Sequence, residues 1–221
     1  MHILVTAGNT QTPIDDVRCI TNIFTGRTGT RIALKAYERG HQVTLLTSHP
    51  EVVREIYPMI MEHTRWHVQT YRTFEDLDQL LKMHVPSGKF DAIVHCAAVS
   101  DYKVDGIFTA DNRDARASKI KSHHTELWLK LTPTPKLIDR FRAEWKYSGH
   151  LVKFKLETGL LEEELLQVAE ASRQQSQADW MVANLFETRN QWAYLGNGEG
   201  TYSKVTRVEL PERLIRLLEK A

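Results

Sequence analysis

Apolar positions along the chain switch repeatedly between two periods. "MHILVTAG" is a short β-branched run ending in glycine, the pattern of a buried strand. "GTRIALKAYERGH" then sets Ile32, Ala33, Ala36 and Tyr37 at helical spacing, with Gly40 placed as C-cap. "QVTLLTS" returns to strand. Such β-loop-α-β units build parallel sheets through right-handed crossovers. The alternation continues with a strand at "RWHVQTYR" and a helix at "TFEDLDQLLKMH", capped by Thr73. "FDAIVHCAAVSD" begins as a nearly continuous apolar run, which marks a central strand buried on both faces. "PKLIDRFRAEW" reads as a helix with proline at its start, "HLVKFKLET" as a strand, and "LEEELLQVAEASRQQ" as a helix with acidic residues near its beginning. "ADWMVANL" is another strand. "AYLGNGEGTYSKVTRVEL" places turn signals between alternating segments, a hairpin-like edge region, and "PERLIRLLEKA" closes as an amphipathic helix. The predicted class is α/β: a doubly wound parallel sheet with helices on both faces.

Two segments break the alternation. After the first strand, a nucleotide-binding unit would carry a short Gly-x-Gly-x-x-Gly turn. This chain instead runs "TAGNTQTPIDDVRCITNIFTGRTG", a long polar loop with a proline, two aspartates, an arginine and an asparagine before the helix begins. The second exception, "YKVDGIFTADNRDARASKIKSHHTELWLKLTPTP", is polar, with "ELWLKL" alternating like a strand exposed on one face. It predicts a flap or arm rather than another core crossover. No internal repeat or low-complexity linker divides the 221 residues, so one domain is expected over 1–221.

Composition narrows the function classes. With 29 basic and 28 acidic residues the formal charge is +1, so no net field holds a polyanion such as nucleic acid, and anion binding must be local. Apolar content of 42% and charged content of 26% suit a globular chain with a real core. Cys19 and Cys96 sit in unrelated contexts and suggest neither a disulfide framework nor zinc spacing. The N-terminus shows no cleavable signal pattern, and no apolar run spans a bilayer. A cytoplasmic protein with neither membrane nor nucleic-acid partners is expected.

In an open parallel sheet, ligands bind beyond the carboxyl ends of strands. Three such ends carry unusual residues: Gly8, Thr10, Asp15, Arg18, Asn22, Gly26 and Gly29; then Ala97, Ala98, Ser100 and Asp101; then Ala183 and Asn184. Each admits two readings. Gly26 and Gly29 either expose helix N–H groups to an anion or simply allow close packing. Ala97 and Ala98 either admit a flat ligand to the backbone or pack a helix. Asp101 either accepts from a ribose hydroxyl, or helps hold magnesium, or is a solvated turn residue. Arg18 and Asn22 suit a carboxylate and an amide or acyl group, or satisfy loop backbone. Lys119 and Lys121 share one side of an extended segment, which is either a solvated basic flap or part of a site.

Taken in order, "TAGNTQTPIDDVRCITNIFTGRTG", "AAVSDY", "KIKS", "LTPTPKLI", "FKLET" and "ADWMVAN" resemble the motifs of the phosphopantothenate–cysteine ligase family over nearly the whole chain. The resemblance implies a free-standing ligase domain with a Rossmann-like sheet, assembled as a homodimer. The implied reaction joins 4′-phosphopantothenate to cysteine in coenzyme A synthesis, with CTP (or ATP) and Mg2+. The carboxylate attacks the nucleotide α-phosphate, and the cysteine amine then displaces the nucleoside monophosphate.

By the same resemblance, Asn22 contacts the activated carboxyl and Arg18 helps build that subsite, together the purpose of the inserted loop. Lys119 neutralises triphosphate charge in the transition state. Asp101 sits at the ribose or its metal. Ala97 and Ala98 line the nucleotide pocket, with Pro135, Leu137, Ile138 and Phe154 around the base. Gly8 and Thr10 lie in the opening turn, Gly26 and Gly29 open the first helix at the site, and Asn184 faces the substrate. No Ser-His-Asp or Cys-His set is evident, as suits a reaction driven by cations and positioning.

The chain departs from the family pattern at three places. Two lysines usual in the helix before the "ADWMVAN" strand are absent, and Arg173 is the one base in that helix. Lys153 stands where the family has glycine, and Asn9 where a smaller residue is common. These departures keep open a non-catalytic homologue that binds nucleotide or phosphopantothenate. "TGRTG" and "AAVSD" also invite a nicotinamide-dependent reductase, against which strand two ends "LLTSHP" without an acidic ribose ligand.

Overall fold

The structure, a computed structural model, describes residues 1–59, 64–111 and 113–221. In chain order the elements are β1 (His2–Ala7), β2 (Gln11–Pro13), β3 (Cys19–Thr21), α1 (Arg27–Glu38), β4 (Gln42–Thr47), α2 (Glu51–Ile56), β5 (Trp66–Thr70), α3 (Phe74–His84), β6 (Ala92–His95), β7 (Tyr102–Thr109), β8 (Leu127–Pro133), α4 (Leu137–Ala143), β9 (His150–Glu157), α5 (Glu162–Gln175), β10 (Trp180–Leu185), β11 (Trp192–Gly196), β12 (Tyr202–Thr206) and α6 (Leu210–Leu218).

Eight strands form the main sheet in the order β12-β11-β10-β9-β6-β1-β4-β5. The run from β5 to β10 is parallel, while β11 and β12 turn back antiparallel at the edge. This is the doubly wound, Rossmann-like order, with its switch point between β1 and β6, where successive crossovers leave in opposite directions. Period-2 burial divides the strands between two faces. Ile3, Val5 and Val94 pack with Ile32, Ala33 and Val53 and with Leu214 and Ile215, so α1, α2 and α6 cover one face. Leu4, Ile93 and Leu151 pack with Leu77, Leu81, Leu137 and Phe141, so α3 and α4 cover the other. On that second face α5 lays Leu165 and Ala169 on Met181 and Ala183.

Helix boundaries follow local chemistry. Thr73 caps α3 through a reciprocal box with Asp76. Gly40, at φ 92°, receives the chain just past α1, where only glycine is unstrained.

The flap is a two-stranded arm of its own. β7 pairs with β8 antiparallel, apart from the main sheet. Asn112, within this segment, lies outside the described residues. The inserted loop also differs from an irregular coil, because β2 and β3 form a small hairpin. Helix α2 carried no sequence signal, since six residues are too few to show a 3.6-residue period. Among the described residues, no helix is long and apolar enough to cross a membrane.

Candidate functional site

The site begins with three glycines drawn together by the fold. Gly8 ends β1 at φ 92° and Gly26 precedes α1 at φ 80°. A Cβ on Gly26 would stand 2.2 Å from the Gly8 nitrogen, and one on Gly29 would stand 2.8 Å from the Ala7 Cβ. The two backbones therefore touch, and residues 9–25 leave and return at one point. In space, Gly8 followed by "GRTG" forms one tight glycine turn at the start of α1, with a hairpin inserted into it. Gly26 provides no side-chain cap, so the first N–H groups of α1 face outward unsatisfied by the helix.

The inserted hairpin delivers Asn22 to this point. Its Nδ2 donates to the Ala98 carbonyl at 3.0 Å, and its own carbonyl accepts from Asn9 Nδ2 at 2.7 Å. Thr10 is buried below, where its Oγ1 accepts from the Ser100 N–H at 2.8 Å. Backbone bonds Thr10 N to Ala98 O and Ala98 N to Gly8 O lock the ends of β1 and β6 to each other.

Around the switch point lies a cleft of about 710 Å3. Gly8, Asn22, Gly26, Ala97, Ala98, Asp101, Pro135, Leu137, Ile138, Phe154 and Asn184 all line it. Topology thus brings together eleven residues from six separate segments of the chain. Thr10, Arg18, Gly29 and Lys119 do not line it. Gly29 sits behind Gly26 against β1. Arg18 forks onto Asp15 and donates to the Ile120 carbonyl at 2.8 Å, while Asp15 Oδ2 accepts from Ile120 N at 3.1 Å. Asp16 N donates to Ser118 O at 3.0 Å. Lys119 therefore lies on a flap segment clamped on both sides to the inserted loop.

Several cleft residues gave no signal in the sequence. Arg207, in the turn after β12, is half-buried. It donates to Asn184 Oδ1 at 2.7 Å and to Thr28 Oγ1 at the start of α1. A surface-like "KVTRVEL" pattern gives no hint that this guanidinium reaches the N-terminus of a helix about 180 residues earlier. His95 is buried, bonds Thr6 Oγ1 at 3.0 Å and packs on Phe141. Burial, reinforced by nearby Lys153, holds its imidazole down at about 4, so it is neutral at pH 7. Burial pushes the Cys96 thiol up to about 12, which leaves it a spacer rather than a nucleophile.

Asp101 is exposed and paired with Lys136 at 2.6 Å. Among the described residues, no three His, Cys, Asp or Glu side chains gather as metal ligands.

A sequence profile described as the DNA/pantothenate metabolism flavoprotein C-terminal domain matches residues 1–206. The chain belongs to this family. Its relatives include the coenzyme A biosynthesis bifunctional protein CoaBC of Thermococcus kodakarensis, 35% identical over 99% of this chain and 51% of that protein. The protein of the same name from Escherichia coli K12 is 27% identical over 74% of this chain and 36% of its own length. The chain thus spans about half the length, or less, of these relatives. Among family structures, the DNA/pantothenate metabolism flavoprotein of Streptococcus pneumoniae superposes with a TM-score of 0.85 at 27% identity, covering 100% of this chain and 99% of that one. A Cab2 mutant in complex with phosphopantothenate-cysteine shares the fold at TM-score 0.75 and 20% identity, covering 99% of this chain and 86% of that one.

Proposed function

We propose that the domain is a ligase joining 4′-phosphopantothenate to cysteine through an acyl-nucleotidylate. The observation that carries this reading is the single cleft at the switch point. There a glycine-turn helix start, a guanidinium and an inserted Asn-bearing hairpin meet the small residues Ala97 and Ala98. The names of the Thermococcus and Escherichia relatives place those proteins in coenzyme A biosynthesis, which supports the choice of acid and amine.

The chemistry suits the residues. In the first step a carboxylate oxygen attacks the α-phosphorus of CTP or ATP, delivered with Mg2+, and pyrophosphate leaves. In the second step the cysteine nitrogen attacks the acyl carbon, loses a proton, and the nucleoside monophosphate leaves. Both partners of the first step are anions, so fixed donors and cations lower the barrier more than any protein nucleophile would. Asn22 contacts the activated carboxyl, and Arg18 holds the loop that presents it. Lys119, on the clamped flap, closes over the triphosphate. Asp101 accepts from the ribose; Pro135, Leu137, Ile138 and Phe154 enclose the base. Arg207, Asn184 and the start of α1 take the phosphate of the acid substrate. The free Cys19 and Cys96 thiols suit a reducing cytoplasm.

The test is pyrophosphate release by the full chain with phosphopantothenate and each nucleoside triphosphate, without and with cysteine. A burst of pyrophosphate without cysteine, and turnover only with it, is expected. Stabilisation by NADPH alone, with no pyrophosphate released under any combination, would reject the ligase.

A further inference from the structure

Basic side chains around the cleft fall into two groups. Lys136 is paired with Asp101 at 2.6 Å, Lys155 with Glu157 at 2.9 Å, and Arg27 with Glu55. Arg189 lies over the Phe186 ring and donates to the Phe186 carbonyl at 2.6 Å. Lys153 is different, and shares with Arg207 the lack of a carboxylate partner among the described residues. It is only 9% exposed, yet no carboxylate among the described residues pairs with it.

Lys153 lies on β9 in register with His95 of β6. Its side chain runs beneath the last turn of α5, where Nζ donates to the Ser172 carbonyl at 2.8 Å and to Ser176 Oγ at 3.1 Å. An ammonium has three N–H groups, so these two neutral acceptors leave one donor unanswered, and burial pulls the pKa of Lys153 below its ordinary value. The C-terminus of α5 supplies only a fraction of a counter-charge.

The groups facing it do not close the gap. His95 is neutral. Asp139 of α4 is the nearby acid and its charge favours the ammonium, against Lys155 and Lys136, but it makes no ion pair with Lys153, and its Oδ1 is buried without a hydrogen bond among the described residues. Its Oδ2 accepts from Gln175 at 3.2 Å. The base on α5, Arg173, is turned to Glu170 at 2.7 Å and to the Ala178 carbonyl at 2.7 Å, so it does not answer for this wall. From α5 the cleft receives only Ser172 and Gln175, both uncharged. Retaining a buried cation without a partner is strongly unfavourable unless an anion completes the site.

We infer that Lys153 grips the phosphate chain of the nucleotide, taking the place of a carboxylate partner with a ligand anion. This rests on the ligase reading above and adds to it a division of charge. Lys153 serves the nucleotide on the α5 wall, while Arg207 serves the acid substrate at the α1 wall. The competing account is that Lys153 only caps α5.

Calorimetric titration of the full chain with MgCTP, MgATP, MgGTP and phosphopantothenate separates the two accounts. Lys153→Gln keeps a hydrogen-bond donor near α5 but removes the charge. Ser172→Glu leaves Lys153 in place and sets a negative charge on the same wall, using a side chain that Lys153 does not bond. Each variant is expected to weaken all three triphosphates at least tenfold and by a common factor, with phosphopantothenate affinity unchanged. Ser172→Lys combined with Lys153→Gln should recover triphosphate binding. Triphosphate affinities within twofold of wild type in folded Lys153→Gln, or in Ser172→Glu, would overturn the inference in favour of capping. A changed ratio among the three nucleotides would overturn it in favour of a base contact. Wild-type protein that binds none of the triphosphates would reject the ligase reading itself.

Discussion

Asn22 is fixed by a loop rather than by an element. Its amide nitrogen gives one N–H to the Ala98 carbonyl, and its backbone carbonyl accepts from Asn9, so the second amide N–H is the donor left for a ligand, beside the amide oxygen. Asn22→Asp would lose that donor and set an anion beside an anionic substrate. Turnover is expected to fall roughly 100-fold or more, with stability changed by about 1 kcal/mol or less. Lys119→Gln, on the exposed flap, should behave alike. Steady-state rates and urea melts measured on the same preparations check both. His95 supplies a test by pH. Its folded value lies near 4, below the ordinary 6.5, so the native state resists protonation that the unfolded chain accepts. Its stabilisation is complete above pH 6.5, declines as pH falls toward about 4, and levels off below. The loss amounts to about 3 kcal/mol at most. Melting temperatures across that window should slope less in His95→Gln than in wild type, the rest of the slope coming from His2 and His84, whose pKa values burial also lowers; equal slopes would contradict the assignment.

Among the elements, the two hairpins outside the main sheet decide the shape of the site, and they support each other. The turn of the β2–β3 hairpin is pinned to residues 118–120 of the flap by Arg18, Asp15 and Asp16, and Thr12 Oγ1 donates to the Tyr102 carbonyl at 3.1 Å. Arg18→Met removes the fork. Amide exchange at Ile120 and its neighbours should then accelerate at least tenfold, while amides of β1 and β6 keep their protection. Unchanged exchange at Ile120 would show that the clamp is held by the backbone alone. The period-3.6 and period-2 segments that made up the parallel sheet were legible because burial on one face or both imposes a pattern. The β2–β3 hairpin was not, because its strands are three residues long and largely exposed. The split glycine turn was not legible either. Gly8 and Gly26 are neighbours only after residues 9–25 have folded back.

For the whole molecule, the flap exposes apolar side chains on both faces of β8: Trp128, 61% exposed, on one, and Leu127 and Leu131, the latter 44% exposed, on the other. On a protein of formal charge +1, with little net repulsion between copies, an exposed Trp128 on such an arm suits self-association. A homodimer closed through this arm is therefore expected, and sedimentation velocity checks it. Wild type should run as a dimer and Trp128→Glu as a monomer with an unchanged melting of the sheet. A monomeric wild type at micromolar concentration would remove the dimer from the account.

The amino-acid order by itself determined the alternation of strands and helices, hence the parallel sheet. It also pointed to the strand ends that meet at the cleft, because periodicity and end-capping are local properties. The resemblance in "TAGNTQTPIDDVRCITNIFTGRTG" and "ADWMVAN" pointed to the family. Only the tertiary structure decided that Arg18 clamps the flap, that Arg207 reaches the first helix, that Arg173 is tied to Glu170, and that Lys153 stands buried with no carboxylate paired to it among the described residues. Those outcomes depend on which distant carboxylate or carbonyl each long, flexible cation meets, and no spacing along the chain encodes that meeting.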